Sequence, residues 1–148
     1  MGVEFKAVTK EYYGHRALDG LDLFAPSGAV YGLVGPNGAG KTTAMKHLAG
    51  ILRQDSGEVL ADGEPVYENP SVKGRIFAIP DEVFHFPQAS ILDMMRFYRG
   101  IYPNFDTKRF EQLREVFELD VKQPMRRFSR GMLKQAAFWL AISMRPEL

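Results

Sequence analysis

Eight consecutive residues, Gly35-Pro36-Asn37-Gly38-Ala39-Gly40-Lys41-Thr42, satisfy G-x-x-x-x-G-K-[ST] at every fixed position. No other stretch constrains the chain as strongly, because such a loop is expected between an entering strand and a leaving helix. Its glycines let backbone N–H groups turn onto phosphate oxygens, at a helix N-terminus where donors are unpaired and the dipole favours an anion.

Both flanks agree with that reading. Ala29-Val30-Tyr31-Gly32-Leu33-Val34 is a short apolar run suited to a buried parallel strand. From Thr42 to Ala49, Met45 and Leu48 fall at helical spacing, with Leu52 one turn further. In this frame Gly35 to Gly40 form the cradle, Lys41 reaches the β- and γ-phosphates, and the Thr42 hydroxyl ligates Mg²⁺. A glycine-rich turn matching by accident is expected roughly once in two hundred chains of this length, and the correct flanks make accident rarer still.

Composition sets limits but names no partner. The 148 residues suit one domain, and 45% hydrophobic content supports a core. Nineteen Lys and Arg against eighteen Asp and Glu leave a net charge of +1, so no global charge points to nucleic acid or an anionic membrane. The absence of Cys excludes disulfides and thiolate metal sites and fits a reducing cytosol. His15, His47 and His85 lack ligand-like spacing and read as surface or packing residues. There is no signal-peptide pattern, and the longest apolar stretch, Ala136 to Met144, is far short of a membrane span.

Taken in order, Val3-Glu4-Phe5-Lys6-Ala7 and Leu21-Asp22-Leu23 alternate, predicting antiparallel strands with one wet face. Between them Tyr12-Tyr13-Gly14 could simply pack at a strand end; beside a phosphate loop, Tyr13 becomes a candidate to stack on an adenine ring. Asp55 to Gly63 reads as turn, strand, turn, with Asp62-Gly63 a hairpin signal. Arg75-Ile76-Phe77-Ala78-Ile79-Pro80 reads as a second buried strand, followed by Asp81-Glu82.

From Ser90 the period changes to helical: Ile91, Met94, Met95 and Tyr98 share a face, with Ser90 as N-cap. After Asp106, Phe110, Leu113, Val116 and Phe117 do the same. These Met and aromatic stripes are most simply core or contact surface. A last apolar helix over Leu133 to Met144, containing Trp139, begins at Phe128-Ser129-Arg130-Gly131. Ser129 suits the N-cap and Gly131 permits close backbone approach, so this helix start is a candidate for a second anion.

Phosphate loop, upstream tyrosine, Asp55-Ser56-Gly57-Glu58-Val59 and the Phe128 to Met132 helix start follow the order and spacing of the ATP-binding subunits of ABC transporters. The chain resembles that family along its whole length, most nearly the members paired with a separate, ABC-2-type permease. The resemblance implies an α/β fold: a P-loop NTPase core with an N-terminal antiparallel β subdomain, over 1–83, and an inserted helical subdomain, over 84–148. It equates Tyr13 with the adenine-stacking aromatic. Gly35, Pro36, Asn37, Gly38, Ala39, Gly40, Lys41, Thr42 and Thr43 correspond to the Walker A region, and Ser129, Arg130 and Gly131 to the signature that meets the partner's ATP. It further implies ATP and Mg²⁺ as cofactors, a second ATPase subunit paired head to tail, and an integral-membrane permease. No nucleic acid is implied, and the place of work is the cytoplasmic face of the membrane.

Several positions depart from the family pattern. Asp81 stands where a glutamine is usual and is the candidate acidic residue for Mg²⁺ or the attacking water; Arg130 replaces the first glycine of Ser-Gly-Gly; Gln135 lies near a customary arginine. In the family, a stretch like Arg145 to Leu148 leads into an apolar strand ending in Asp-Glu, and this sequence ends at Leu148. The expectation is an N-terminal portion of an ATPase subunit that at best binds nucleotide weakly, does not turn it over alone, and through unpaired strand edges is either an oligomer or a poorly soluble chain. Two other readings stay open: a non-hydrolysing ATP-sensing module, and a soluble ABC-type ATPase serving translation or DNA repair. Near-neutral charge counts against the latter.

Overall fold

The computed structural model describes residues 1–148, which divide into two compact units: Met1–Phe77 with Glu147–Leu148, and Ala78–Pro146.

The first unit is built on an antiparallel sheet of order β2-β1-β3-β4, with β1 Val3–Tyr12, β2 His15–Ala25, β3 Ser56–Ala61 and β4 Glu64–Pro65. β1 and β2 are longer than the alternating stretches in the sequence. They meet at Tyr13-Gly14, where both residues take positive φ (49° and 79°), the two-residue turn that matches the twist of antiparallel strands. Asp62-Gly63 (50° and 81°) forms the β3–β4 hairpin in the same way.

A bulge at Ala7 resets the phase of β1. Ala7 takes φ 46° and its N–H donates to Asp22 Oδ1 at 2.8 Å, while Gly57 opposite leaves no room for a side chain against the carbonyls of Lys6 and Ala7. The extra residue lets Val3, Phe5 and Val8 all face inward, where strict alternation would have sent Val8 to solvent. Leu18, Val59, Ala61, Val66 and Val72 complete this core with Ala44 of helix α1, Lys41–Leu48. Asp55 fastens the entry to β3 onto β1. Its carboxylate accepts from Lys10 Nζ and the Glu11 N–H, each at 2.7 Å, and the lysine bond first, then the backbone bond, hold it below the usual Asp range.

Three expectations are corrected here. Ala29–Val34 is not a buried strand: the run is irregular and exposed, with Val30 and Val34 almost wholly open to solvent. A central strand needs a neighbour on each edge and cover on both faces, and no strand of the sheet lies beside this run to supply them. Arg75–Pro80 likewise forms no regular strand, although Arg75 and Phe77 bond to the backbone of Glu147 and Leu148. On α1 the inward residues are Ala44 and His47, and Met45 is exposed. His47 Nδ1 lies 2.8 Å from the Thr43 carbonyl, making the imidazole a packing group. A single turn, α2 (Pro70–Lys73), capped by Asn69, closes the unit's helical content.

The second unit is helical: α3 (Ile91–Ile101), α4 (Thr107–Phe117), a 3₁₀ turn at Met125–Arg127, and α5 (Arg130–Ser143). Ser90 and Asp93 form a reciprocal capping box at the start of α3. The Ser90 hydroxyl and N–H hold the Asp93 carboxyl below its ordinary range, so the ionised cap persists above that range and is lost only as pH falls through the lowered value. Asp106 caps α4 and its N–H donates to the Ser143 carbonyl of α5 at 2.7 Å. The core is Trp139, stacked on Phe110 at 4.7 Å and on Phe117 at 5.7 Å, with its indole N–H donating to the Phe110 carbonyl at 2.8 Å. Val116, expected on the inner face of α4, is 70% exposed. No helix is long and apolar enough to cross a membrane.

Candidate nucleotide-binding site

Gly38 and Gly40 place the loop's backbone in conformations closed to other residues, with φ of 85° and 82°. Gly40 is also the N-cap of α1, so no side chain occupies the helix start. The first helical bond is Ala44 N–H to the Gly40 carbonyl, 2.8 Å, which leaves the N–H groups of Lys41, Thr42 and Thr43 ahead of the intrahelical ladder. Beside Gly38 an added methyl would meet nothing within 4 Å, so a ligand has room to approach.

Lys41 bends back over this loop, its ammonium donating to the carbonyls of Gly35 and Pro36 at 2.7 Å each. Ala39 N–H to the Pro36 carbonyl, 3.2 Å, tightens the turn. Unpaired donors, positive dipole end and an ammonium group converge on one short segment, which suits a multiply charged phosphate chain. Thr42 is exposed on the first turn and supplies one oxygen, so a Mg²⁺ ion here would draw its other ligands from phosphates and water.

The loop is backed by β2. A side chain at Gly40 would overlap the Ala17 carbonyl oxygen and come within 2.9 Å of Leu18 Cδ2. That strand begins at His15, next to the Tyr13-Gly14 turn, and Tyr13 stands fully exposed at the hairpin tip. Its ring has no partner to leave before it stacks on a base. Nothing in the motif indicated the role of Ala17 and Leu18 as the wall behind Gly40.

Asp81, Ser129, Arg130 and Gly131 belong to the second unit. Ser129 caps α5, its hydroxyl accepting from the Met132 N–H at 3.2 Å, and Arg130 and Gly131 are exposed on the first turn. Asp81 is fully exposed and pairs with Lys134 of α5 at 3.3 Å, a contact that α5's apolar pattern did not suggest. A further feature went unread in the sequence. Phe84, Phe86 and Phe97 form an exposed edge-to-face cluster, with Phe86 5.2 Å from each of the others. The alternating Phe84-His85-Phe86 was its available signal.

Residues 18–148 match the family described as ABC transporter. The chain belongs to the ABC transporter family. It is 30% identical over 146 residues to the ABC transporter ATP-binding protein YtrB of Bacillus subtilis, covering 99% of this chain and 50% of YtrB. It superposes with a TM-score of 0.82 and 25% identity on a putative ABC transporter ATP-binding protein from Pyrococcus furiosus, covering 97% of this chain and 70% of that one. Its fold is also that of cbiO1 from Clostridium perfringens, part of the ABC transporter complex cbiONQ, at TM-score 0.78 and 22% identity over 97% of this chain and 62% of cbiO1. This ABC transporter chain spans half or less of the length of the curated relatives it matches. The α/β P-loop fold expected from the sequence is therefore the fold of its structural neighbours.

Proposed function

We propose that the chain belongs to the ATP-driven motor subunit of a membrane transporter and binds MgATP on Gly35 to Thr43. The observation that carries this reading is the uncapped start of α1 beneath the left-handed Gly38 and Gly40, with Lys41 drawn over it. Tyr13 stacks on the adenine, Lys41 neutralises the β- and γ-phosphates, and Thr42 contributes to Mg²⁺. Ser129, Arg130 and Gly131 at the start of α5 face the γ-phosphate held by a second ATPase subunit arranged head to tail. In this reading Asp81 is the acidic residue that assists with water or metal once its pairing with Lys134 yields. A pair this exposed costs little to break.

The partner beyond the second subunit is an integral-membrane permease, and the subunit works at the cytoplasmic face of the membrane through it. The apolar cluster of Phe84, Phe86 and Phe97 supports an apolar protein partner, and the net charge of +1 gives no support to nucleic acid.

The test is MgATP affinity and turnover beside a Lys41→Ala control. Lys41→Ala should weaken MgATP binding at least about tenfold and remove any turnover, since it deletes the one cation of the cradle. Tyr13→Ala should weaken binding by about 1–2 kcal/mol, the worth of one stacked base, with little change in turnover at saturating nucleotide. Equal MgATP affinity in the parent and the Lys41→Ala protein would overturn the assignment of the loop.

A further inference from the structure

We propose that Arg75 is a register pin: it locks the segment by which the chain leaves the first unit to the segment by which it returns. The chain passes out after Phe77 and comes back at Glu147, with everything between them forming the second unit. Arg75 holds both passages. Its carbonyl accepts the N–H groups of Glu147 at 2.8 Å and Leu148 at 3.3 Å, and two residues further the Phe77 N–H donates to the Leu148 carbonyl at 2.8 Å. The Leu148 and Phe77 bonds alternate about Ile76 as they do in a parallel pair, in a unit whose sheet is otherwise antiparallel.

The side chain reads the same register. The Arg75 guanidinium lies 3.4 Å from Glu147, 3.1 Å from Glu64 and 3.6 Å from Asp62, so it ties the returning segment to the β3–β4 hairpin as well. A slip of one residue in one direction replaces one of the two donors to the Arg75 carbonyl by Pro146, which has no N–H. A slip in the other sets the apolar Leu148 against the guanidinium, and either slip turns every side chain of the segment to the opposite face. Backbone and side chain of a single residue therefore select one pairing. Isolated exposed ion pairs contribute little, but the Arg75 side chain is only 29% exposed and gathers three carboxylates; without it they would face one another uncompensated. Arg75 is thus a positioning residue for the pairing of these two segments of the first unit, whether or not nucleotide is bound.

Amide hydrogen exchange on the whole chain tests this. Arg75→Met should speed exchange at Phe77 and Leu148 about tenfold or more while leaving Phe5 and Val59 in the β1–β3 ladder nearly unchanged, and Arg75→Lys should recover part of the protection. Unaltered exchange at Phe77 and Leu148, or equal loss throughout the ladder, overturns the proposal. Should Arg75→Met not fold, cross-linking decides, and the absence of Cys makes introduced pairs unambiguous. Cysteines at Ile76 and Leu148 sit about 4.8 Å apart in a parallel pair, within disulfide reach, and should oxidise about tenfold faster than cysteines at Ile76 and Pro146. Equal rates for the two pairs would show that no register is held.

Discussion

Gly40→Ala is expected to cost about 3 kcal/mol or more and to abolish measurable MgATP binding in whatever protein still folds. Two independent penalties combine at that position. The backbone sits at φ 82°, a conformation a residue with a Cβ adopts only under strain, and the new methyl would overlap the Ala17 carbonyl with Leu18 Cδ2 2.9 Å away. Relief requires the start of α1 to move off β2, which scatters the donors of Lys41, Thr42 and Thr43. Chemical denaturation and nucleotide titration of the same protein measure both effects. Gly38→Ala is the informative contrast: it carries the same backbone strain at φ 85° but meets open space, so its destabilisation should be smaller by the clash alone. Equal losses in the two variants would show that the wall formed by Ala17 and Leu18 does not matter.

Trp139→Ala is expected to be the most destabilising single change in the second unit, by about 3–5 kcal/mol. The indole is fully buried and stacked on two rings, and its removal also deletes the bond its N–H donates to the Phe110 carbonyl at 2.8 Å. Because α4 and α5 lose their shared centre, amide protection should fall across both helices while the sheet of the first unit keeps its own. Trp139→Phe refills most of the volume without the donor and should recover more than half of the loss. Protection falling equally in both units would mean that they unfold as one.

How much of this was legible depends on whether the deciding interaction is local. Helix starts at Ser90 and Ser129 were readable because a cap is a contact within one turn, and Asp62-Gly63 and the phosphate loop were readable because their backbone demands glycine at set positions. Ala29–Val34 misled for the opposite reason: burial of a central strand is decided by neighbours that composition cannot supply. Val8 faces the core because of a bulge that needs Asp22 and Gly57 from two other strands, a three-strand arrangement without a sequence period. Candidate site residues followed the same division. The loop's own glycines and Lys41 were evident, whereas the backing of Gly40 by β2, the Lys134 pairing of Asp81 and the contact of Phe97 with the Phe84-Phe86 pair join residues from different segments.

The two bonds from Lys41 to the Gly35 and Pro36 carbonyls bear on how binding heats should be read. A cation already solvated by two backbone dipoles has shed part of its water before any polyphosphate arrives, so association is an exchange of partners and its calorimetric enthalpy is the small difference between bonds relinquished and bonds made. The lysine's contribution will register instead in the ionic-strength dependence of the affinity, because dipoles are replaced by a formal counter-charge and only the latter is screened by salt.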